Sequence, residues 1–247
     1  MFHDLKQNEQ HYDRVLRSKP PLYYERFEAD LLEKRPLVAE LLEKAFNELF
    51  PENAGEVLDL GCGTGFYFPI LARHSTGLLG VDVCQPMLDQ AQQLIDLHRL
   101  THCRVLQSSA LELPVADHSV DVVHSWDFLH HVTDVSRVFA EIKRVLKPGG
   151  RYVAVEPNVL NPSITWYHAR RRSEWRLFTQ NQFTMPRRLT ADFDVRVRFD
   201  NTIISFLNER TYGLWKLVDR FTSISPFRRF AFRYVMDCYL HQLAPGQ

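Results

Sequence analysis

The chain has 247 residues, of which 45% are apolar, 12% aromatic and 24% charged, and its formal net charge is zero. This composition is typical of a packed globular protein, and the length suits one large α/β domain. A net charge of zero provides no global attraction for nucleic acid, so no nucleic-acid partner is expected.

The first 50 residues predict helices. Apolar residues recur at three- and four-residue steps through "EADLLEKRPLVAELLEKAFNELF", as on one face of a helix. Pro36 is expected to break or kink this run, because proline cannot continue the helical hydrogen bonds. Pro51 and Gly55 then separate the helices from "EVLDL", a short apolar run that predicts the first strand.

The middle of the chain alternates predicted strands with predicted helices. Strands are expected at Gly77–Asp82, Cys103–Ser109, Val120–Asp127 and Arg151–Pro157, with helices at Pro86–Leu100 and Asp134–Leu146. The "KPGG" sequence after the second helix is expected to end it. Strands that are separated by helices predict βαβ units and a parallel sheet.

The last third of the chain is harder to assign. Residues 158–190 show no clear periodicity, whereas residues 194–199 alternate as a strand does. Residues 212–221 predict a helix with one apolar stripe, formed by Leu214, Leu217, Val218 and Phe221. Residues 233–242 fit either a helix or a closing strand, and the strand is favoured.

Three glycines at alternate positions, Gly61, Gly63 and Gly65, follow the first predicted strand. Glycine permits backbone angles that other residues avoid, and its missing Cβ lets backbone N–H groups approach a ligand. A dinucleotide loop would carry its third glycine where this chain has Phe66. The spacing therefore disfavours a dinucleotide and suits a smaller anion, such as an amino-acid carboxylate.

Four segments together resemble the class I S-adenosylmethionine-dependent methyltransferases: "VLDLGCGTG", "GVD", "SVDVVHSWDFLHHV" and "EIKRVLKPGGRYVAVEPN". They cover residues 56–158 and are specific as an ordered set. The resemblance implies an α/β fold with a Rossmann-like, doubly wound, mostly parallel sheet. It also implies an N-terminal helical lid over residues 1–50, a cofactor-binding core over residues 51–158, and an acceptor-side insertion with closing strands over residues 159–247. The lid would include His11, Tyr12, Tyr23 and Tyr24.

The same resemblance implies which residues contact S-adenosylmethionine and its product S-adenosylhomocysteine. The glycines would pass along the methionine moiety, Asp59 would help to hold its ammonium group, and Asp82 would accept hydrogen bonds from both ribose hydroxyls. Val83 and Met87 would flank the adenine. Ser109 stands where the family often carries an acid, so it offers the adenine a bond without charge assistance. The expected cofactor contacts are Asp59, Gly61, Gly63, Gly65, Asp82, Val83, Met87, Ser109, Ala110 and Ser125.

The expected chemistry needs few catalytic groups. Methyl transfer from a sulfonium is an in-line displacement, so the enzyme contributes mainly alignment and a dry pocket. A base is needed only when the acceptor arrives protonated. Candidates at the carboxyl ends of the strands are His130, His131 and Glu156, and by resemblance His130 faces the transfer site. Local hydrogen bonding at a helix start would explain both histidines equally well, and Asp127 is more typical of a helix cap than of a base.

Charged and aromatic residues are distributed unevenly along the chain. Residues 1–156 hold 16 Lys and Arg against 23 Asp and Glu, whereas residues 157–247 hold 14 against 7, with 16 of the 30 aromatic residues. Three interpretations of this tail remain open: a solvated face over ordinary core aromatics, an interfacial surface for a lipid-like or membrane-borne acceptor, and a basic pocket for an anionic acceptor.

The sequence therefore predicts a methyltransferase with an unidentified, lipid-like or anionic small-molecule acceptor. The alternative is a regulatory protein that binds the cofactor without transfer, for which only Ser109 argues; an oxidoreductase is disfavoured by Phe66. Scattered histidines and four cysteines without paired spacing predict no metal site. We expect a cytoplasmic protein for three reasons. The thiols are expected to be reduced, the N-terminus is polar and unlike a signal peptide, and no apolar run approaches ~18 residues.

Overall fold

The computed structural model describes residues 31–50, 53–170, 176–201, 212–222, 224 and 226–241. Seven strands form one sheet in the spatial order β3-β2-β1-β4-β5-β7-β6. The strands are β1 (Glu56–Leu60), β2 (Gly77–Asp82), β3 (Cys103–Gln107), β4 (Val120–Trp126), β5 (Leu146–Pro157), β6 (Phe193–Asp200) and β7 (Arg233–Leu240). The first five strands are parallel, and β7 pairs antiparallel with both β5 and β6. The predicted mostly parallel sheet is confirmed.

Helices cover both faces of this sheet. They are α1 (Leu31–Lys34), α2 (Pro36–Leu49), α3 (Phe68–Leu71), α4 (Gln85–Leu97), α5 (Val135–Val145), α6 (Pro162–Ala169), α7 (Met185–Leu189) and α8 (Tyr212–Thr222). Short 3₁₀ turns lie at Ala72–His74, Leu129–His131 and Phe227–Phe230. The predicted break at Pro36 is confirmed, since α1 ends before it and α2 begins on it, where a proline lacks no helical hydrogen bond.

Two hydrophobic clusters hold the helices onto the sheet. On one face, α2, α3 and α4 pack against side chains such as Val57, Leu78 and Val153. On the other face, α5 and α7 pack against side chains such as Leu58 and Val123. Alternate residues of a strand point to opposite faces, so each inner strand contributes to both clusters. The sheet is therefore doubly wound, as predicted.

The apolar stripes that the sequence predicted on α5 and α8 differ in burial. In α5 the stripe of Val135, Val138, Phe139 and Ile142 is buried, as expected for a helix that covers a sheet. In α8 the predicted helix is present, but its apolar residues Leu214, Leu217 and Phe221 are exposed. The same sequence pattern thus gives an inward face in the core and an outward face in the tail.

The "KPGG" segment does more than end a helix. The helix α5 ends at Val145, and β5 begins at Leu146, earlier than the predicted start at Arg151. Gly149 has a φ of 76° there, and the pairing of β4 with β5 shifts register between Val120 and Val122. A glycine in a strand relieves the strain of such a bulge, so the turn is absorbed into the strand.

The ambiguous tail segment is a strand, β7, as favoured. It lies between β5 and β6, and Tyr234, Met236 and Cys238 on one face are as buried as Val235 on the other. A strand that is buried on both faces shows no alternation, which explains why its sequence also fits a helix. Because β7 is antiparallel, it begins beside Pro157, at the sheet edge where β1 to β5 end.

The described part of the predicted lid is α1 and α2. Val38, Leu42, Phe46 and Leu49 of α2 are buried in the core of the sheet's first face. His11, Tyr12, Tyr23 and Tyr24 lie outside the described residues. The division into lid, core and acceptor region stays a prediction.

Candidate functional site

The three glycines of the turn after β1 differ in what a side chain at each position would contact. Gly61, Gly63 and Gly65 all have positive φ angles, of 70°, 55° and 62°. A Cβ on Gly61 would lie 2.5 Å from the ring of Phe128, and one on Gly65 would lie 3.0 Å from the ring of Phe68. A Cβ on Gly63 would meet only the Met87 sulfur, at 3.8 Å. Gly61 and Gly65 are therefore constrained by packing, whereas Gly63 faces open space.

That space is a cavity at the carboxyl ends of β1, β2 and β4. Its lining includes seven of the ten residues that the resemblance assigned to the cofactor: Gly61, Gly63, Asp82, Val83, Met87, Ser109 and Ala110. Ligands of open α/β sheets bind at this edge, where the strand order reverses. Here the reversal lies between β1 and β4, because the chain runs from β1 outward to β3 and then returns to β4.

Asp82, the last residue of β2, anchors the turn from within the cavity. One carboxylate oxygen accepts the N–H of Gly63 and the other accepts the N–H of Cys84, each at 2.9 Å. Burial raises the pKa of Asp82 above its ordinary value of 3.8; these backbone bonds offset part of the rise, and Asp59 adds to it. Each oxygen keeps a second lone pair for a ligand, since a carboxylate has about four acceptor sites.

The other end of the cavity is mainly apolar. Val83, Met87 and Ala110 line it, and the Ser109 hydroxyl accepts the N–H of Leu111 at 3.1 Å. Burial also raises the pKa of the Cys62 thiol well above its ordinary value, with Asp82 and Asp59 adding to the rise, so this cavity-lining thiol stays neutral. A flat, weakly polar ring fits such a lining better than a charged group does.

Three of the expected cofactor residues lie behind the cavity wall instead. Gly65 packs against Phe68 and Ala91, and Ser125 bonds to the Tyr152 hydroxyl at 2.9 Å. Asp59 is wholly buried, and its carboxylate lies 2.6 Å from Nδ1 of His124. These three residues support the cavity wall from behind. Their expected contacts with the cofactor stay predictions.

The Asp59–His124 pair sits in an aromatic cluster beneath the glycine turn. Phe46, Phe50 and Tyr67 surround the His124 ring at 5.5 to 5.7 Å between ring centres. Burial raises the pKa of the Asp59 carboxyl, and the contact with His124 offsets part of that rise. The pair joins the centres of β1 and β4, so it stiffens the two strands between which the cavity opens.

On the far side of the cavity, Glu156 at the end of β5 organises the turn after β4. Its carboxylate accepts the N–H groups of Phe128 and Leu129, at 2.9 and 2.7 Å, and lies 2.7 Å from Nδ1 of His130. Glu156 and His130 are both buried. Among the three candidate catalytic residues, only His131 lines the cavity, with its ring 4.0 Å from that of His130.

Asp127 joins the end of β4 to the start of β7. It has a positive φ of 54°, lines the cavity, and pairs with the buried guanidinium of Arg233. It does not cap a helix, because Asp134 is the residue that caps α5. Cations are rarely buried without a carboxylate partner, so the pair brings the tail to the cavity wall.

Phe66, Tyr67, Trp126 and Phe128 add aromatic side chains to the lining. Of these four, Tyr67 and Phe128 were not singled out from the sequence. The signal was present for Phe128, since it directly follows a predicted strand at the ligand-binding edge. Trp126 is buried, and its ring N–H has no hydrogen-bond partner in the described part of the chain.

The described residues include neither a metal-binding group nor a membrane-spanning helix. No group of three or more His, Cys, Asp or Glu side chains there is arranged to hold a metal ion. No helix within the described ranges combines the length and the apolar character needed to cross a membrane.

The chain is similar to known proteins in this same region. Residues 58–154 match a family described as a methyltransferase domain. The chain is 36% identical over 127 residues to the demethylmenaquinone methyltransferase of Lactobacillus johnsonii, an alignment that covers 49% of this chain and 52% of that protein. It is 33% identical over 105 residues to 24-methylenesterol C-methyltransferase 2 of Arabidopsis thaliana, over 41% of this chain and 28% of that protein.

The fold is similar to that of a crystal structure of geranyl diphosphate C-methyltransferase from Streptomyces coelicolor A3(2), in complex with Mg²⁺, geranyl diphosphate and S-adenosyl-L-homocysteine. The TM-score is 0.56 at 17% identity, over 93% of this chain and 86% of that one. Against the two curated relatives, the aligned part spans at most about half of their length. Because the identity is 17%, the structural likeness shows a shared fold alone.

Proposed function

We propose that residues 58–154, which match a methyltransferase domain, use S-adenosylmethionine as the class I enzymes do, and that this chain transfers the methyl group to a lipid-like small molecule. The observation that carries the proposal is the pairing of Asp82 with the glycine turn. A carboxylate at the end of β2 and an open backbone at Gly63 face one cavity, which is the arrangement that a nucleoside with an amino-acid tail requires.

The residues present fit this cofactor. Asp82 has acceptor capacity left on both oxygens for two ribose hydroxyls, and Val83, Met87 and Ala110 offer an apolar slot for the adenine. The methionine end lies along the glycine turn, where Gly63 alone has room at its Cα for a ligand. When bound, S-adenosylmethionine supplies a methyl group activated by its sulfonium.

The acceptor side supports an apolar substrate. Trp126, Phe128, Val132 and Val138 line the cavity there, and the charges of Asp127 and Arg233 are paired with each other. The Trp126 ring N–H has no partner among the described residues, and an oxygen on the acceptor would satisfy it. The names of three similar proteins agree with this, since demethylmenaquinone, a sterol and geranyl diphosphate all carry hydrocarbon portions.

The chain's own residues then align and shield the reaction. Packed aromatic side chains exclude water from the acceptor side, and the Glu156 turn fixes the position of His131 at the cavity wall. His131 is the group placed to take a proton from an acceptor that arrives protonated. Glu156 and His130 act through this turn as positioning residues.

A transfer assay with label on the methyl group tests the proposal. The full chain is incubated with labelled S-adenosylmethionine and, separately, with a polyprenyl quinone that lacks a ring methyl, a sterol, and a prenyl diphosphate. We expect label in the extracted product of one of these classes, and none when Gly63 is replaced by Val. A chain that binds the cofactor but labels none of them is instead a cofactor-binding regulatory protein, the alternative function.

A lipid-like acceptor also has a consequence for location. Such molecules are held in membranes because their hydrocarbon portions are poorly soluble in water. We therefore expect the chain to make peripheral contact with a membrane while it loads its acceptor.

A further inference from the structure

Five large apolar side chains form an exposed patch near the C-terminus. They are Leu214, Leu217 and Phe221 of α8, with Ile224 and Phe227 just after it, and they are between 38% and 66% exposed. We refer to these five residues as the tail patch. The rings of Phe221 and Phe227 lie 4.4 Å apart, so α8 and the following 3₁₀ turn form one continuous surface. Contiguous apolar surface of this kind marks an interaction site.

Side-chain hydrogen bonds join the helix α8 to Asn201, which follows β6. The Asn201 side chain donates to Asp219 at 2.8 Å and to the hydroxyl of Thr222 at 2.5 Å, and Thr222 is buried. The leucines of the same helix point outward. A surface helix usually turns its apolar residues toward the core, whereas Leu214, Leu217 and Phe221 are exposed here. These three side chains are therefore available to a partner.

The charges around the tail patch indicate which partner. Exposed Lys216, Arg220, Arg228 and Arg229 are the cations of residues 212–230, and Asp219, the acid in that stretch, bonds to Asn201. A second copy of the chain would bring cations against cations. An anionic lipid surface offers the matching charge, and its interface accepts leucine and phenylalanine side chains.

The patch also lies on the correct side of the molecule. Asn158, just after β5, donates to the carbonyls of Arg229 and Ala231 at 2.8 and 2.7 Å. Asn161 donates to the carbonyl of Phe230 at 2.8 Å. The 3₁₀ turn of the patch is therefore fastened to the sheet edge at which the Asp127–Arg233 pair borders the cavity.

We propose that the tail patch, together with Arg220, Arg228 and Arg229, docks the protein onto anionic lipid bilayers. The apolar side chains enter the headgroup boundary, and the arginines contact lipid phosphates. This inference extends the proposed function by naming the face that meets the membrane, but it does not depend on methyl transfer. Its test therefore uses lipid alone.

The test is co-sedimentation of the full chain with vesicles of phosphatidylcholine, and of phosphatidylcholine mixed with phosphatidylglycerol. We expect binding to the anionic vesicles that weakens in high salt, because screening shortens from ~10 Å at 0.1 M to ~3 Å at 1 M. The Arg228→Gln/Arg229→Gln variant should bind ~10- to 30-fold more weakly, given the worth of each cation near anionic lipid. The matched control is Arg187→Gln/Arg188→Gln, which changes two exposed arginines on α7.

A second pair of variants tests the apolar part. Leu217→Ser should weaken vesicle binding, whereas Leu97→Ser should not, although Leu217 and Leu97 are similarly exposed at 65% and 62%. Binding to neither vesicle, or binding that ignores both the arginine and the leucine changes, would overturn the proposal. So would self-association of the wild-type chain that Leu217→Ser abolishes, since the patch would then join two copies. S-adenosylhomocysteine binding, measured in parallel, separates a failure of the cofactor site from a failure of this surface.

Discussion

The glycine turn and the tail patch lie at the same edge of the sheet but are built in opposite ways. At the turn, side chains are absent, so the backbone comes close to a small ligand of fixed shape. At the patch, large apolar side chains are exposed on a helix that is bonded to Asn201, just after β6. The first construction suits a ligand of fixed shape, and the second suits the lipid surface that we propose as its partner. The proposed transfer to a lipid-like acceptor uses both.

The largest effects are expected when side chains are added at the glycine turn. Gly63→Val should lower the affinity for S-adenosylhomocysteine by on the order of a hundredfold or more, because its side chain fills ligand space and misplaces the backbone. Gly61→Val should mainly lower the free energy of unfolding, because its Cβ would lie 2.5 Å from the Phe128 ring. Calorimetric titration and thermal unfolding of both variants separate the two effects.

Gly213→Val on α8 is the control for adding a side chain where its Cβ meets nothing within 4 Å, whereas the positive φ of Gly63 adds backbone strain that thermal unfolding measures. If folded Gly63→Val binds the ligand normally, the turn is structural and the assignment of the cavity to the cofactor is wrong.

The acceptor side depends instead on a buried side chain. Glu156→Ala should lower the free energy of unfolding by about 3 kcal/mol or more, because it leaves two N–H groups and the His130 ring without their acceptor. Glu156→Gln should cost less, since one oxygen acceptor remains. Urea unfolding measures both, with Glu112→Gln at an exposed position as the control.

If Glu156 positions His131, folded Glu156→Gln should bind S-adenosylhomocysteine normally and lose kcat toward the acceptor. A variant that unfolds no more readily than the control, and keeps kcat, would contradict that role.

Cofactor binding should depend on pH through the ionisation of Asp82. Burial raises the pKa of Asp82 above 3.8, and ribose hydroxyls bond to the ionised form, so a bound ligand lowers that pKa again. Affinity should therefore be full at neutral pH and fall, by at most about tenfold per pH unit, as the pH drops through the raised pKa. Titrations along a descending pH series should show this loss beginning above 3.8, and Asp82→Asn should lack it. Equal pH profiles for the two chains would assign the effect elsewhere, with Asp59 as the nearest candidate.

The smallest expected effect concerns Trp126. Replacement by Phe keeps the aromatic wall but removes the buried ring N–H that lacks a partner within the described residues. We expect KM for the acceptor to rise ~2- to 10-fold, which corresponds to one hydrogen bond, with S-adenosylhomocysteine affinity unchanged. Steady-state kinetics of the variant measure the change. An unaltered KM would mean that the acceptor makes no bond to this ring.

The two regions also differ in how far their sequences predicted them. Local sequence patterns predicted the turn, the order of β1 to β5 along the chain, and the position of Asp82. They did so because each of these strands ends at or beside a glycine, proline or polar residue. The orientations of Asp59 and Ser125 do not follow, because each is set by one partner on another strand: His124, 65 residues away, and Tyr152, 27 residues away. Glu156 likewise accepts hydrogen bonds from the backbone N–H groups of Phe128 and Leu129, which lie 28 and 27 residues earlier in the chain.

In the tail, pattern and structure diverge for a different reason. The apolar stripe of α8 was evident from the sequence, but periodicity does not say whether a stripe faces inward or outward. The partner that bonds to α8, Asn201, lies 18 and 21 residues before the two residues it contacts, Asp219 and Thr222. Arg233 similarly belongs to the cavity wall and not to the basic surface, because Asp127 is its partner.

The most direct test of the central claim is a calorimetric titration of S-adenosylhomocysteine into the wild-type chain, Asp82→Asn and Asp89→Asn. Asp82 lines the cavity and holds the glycine turn, whereas Asp89 is exposed on α4 and accepts a hydrogen bond from Gln85. We predict binding by the wild type and by Asp89→Asn, with affinity weakened in Asp82→Asn by ~1–3 kcal/mol, the usual worth of a charged hydrogen-bond partner. Equal affinities in all three chains, or no binding by the wild type, would contradict the assignment of this cavity to the cofactor.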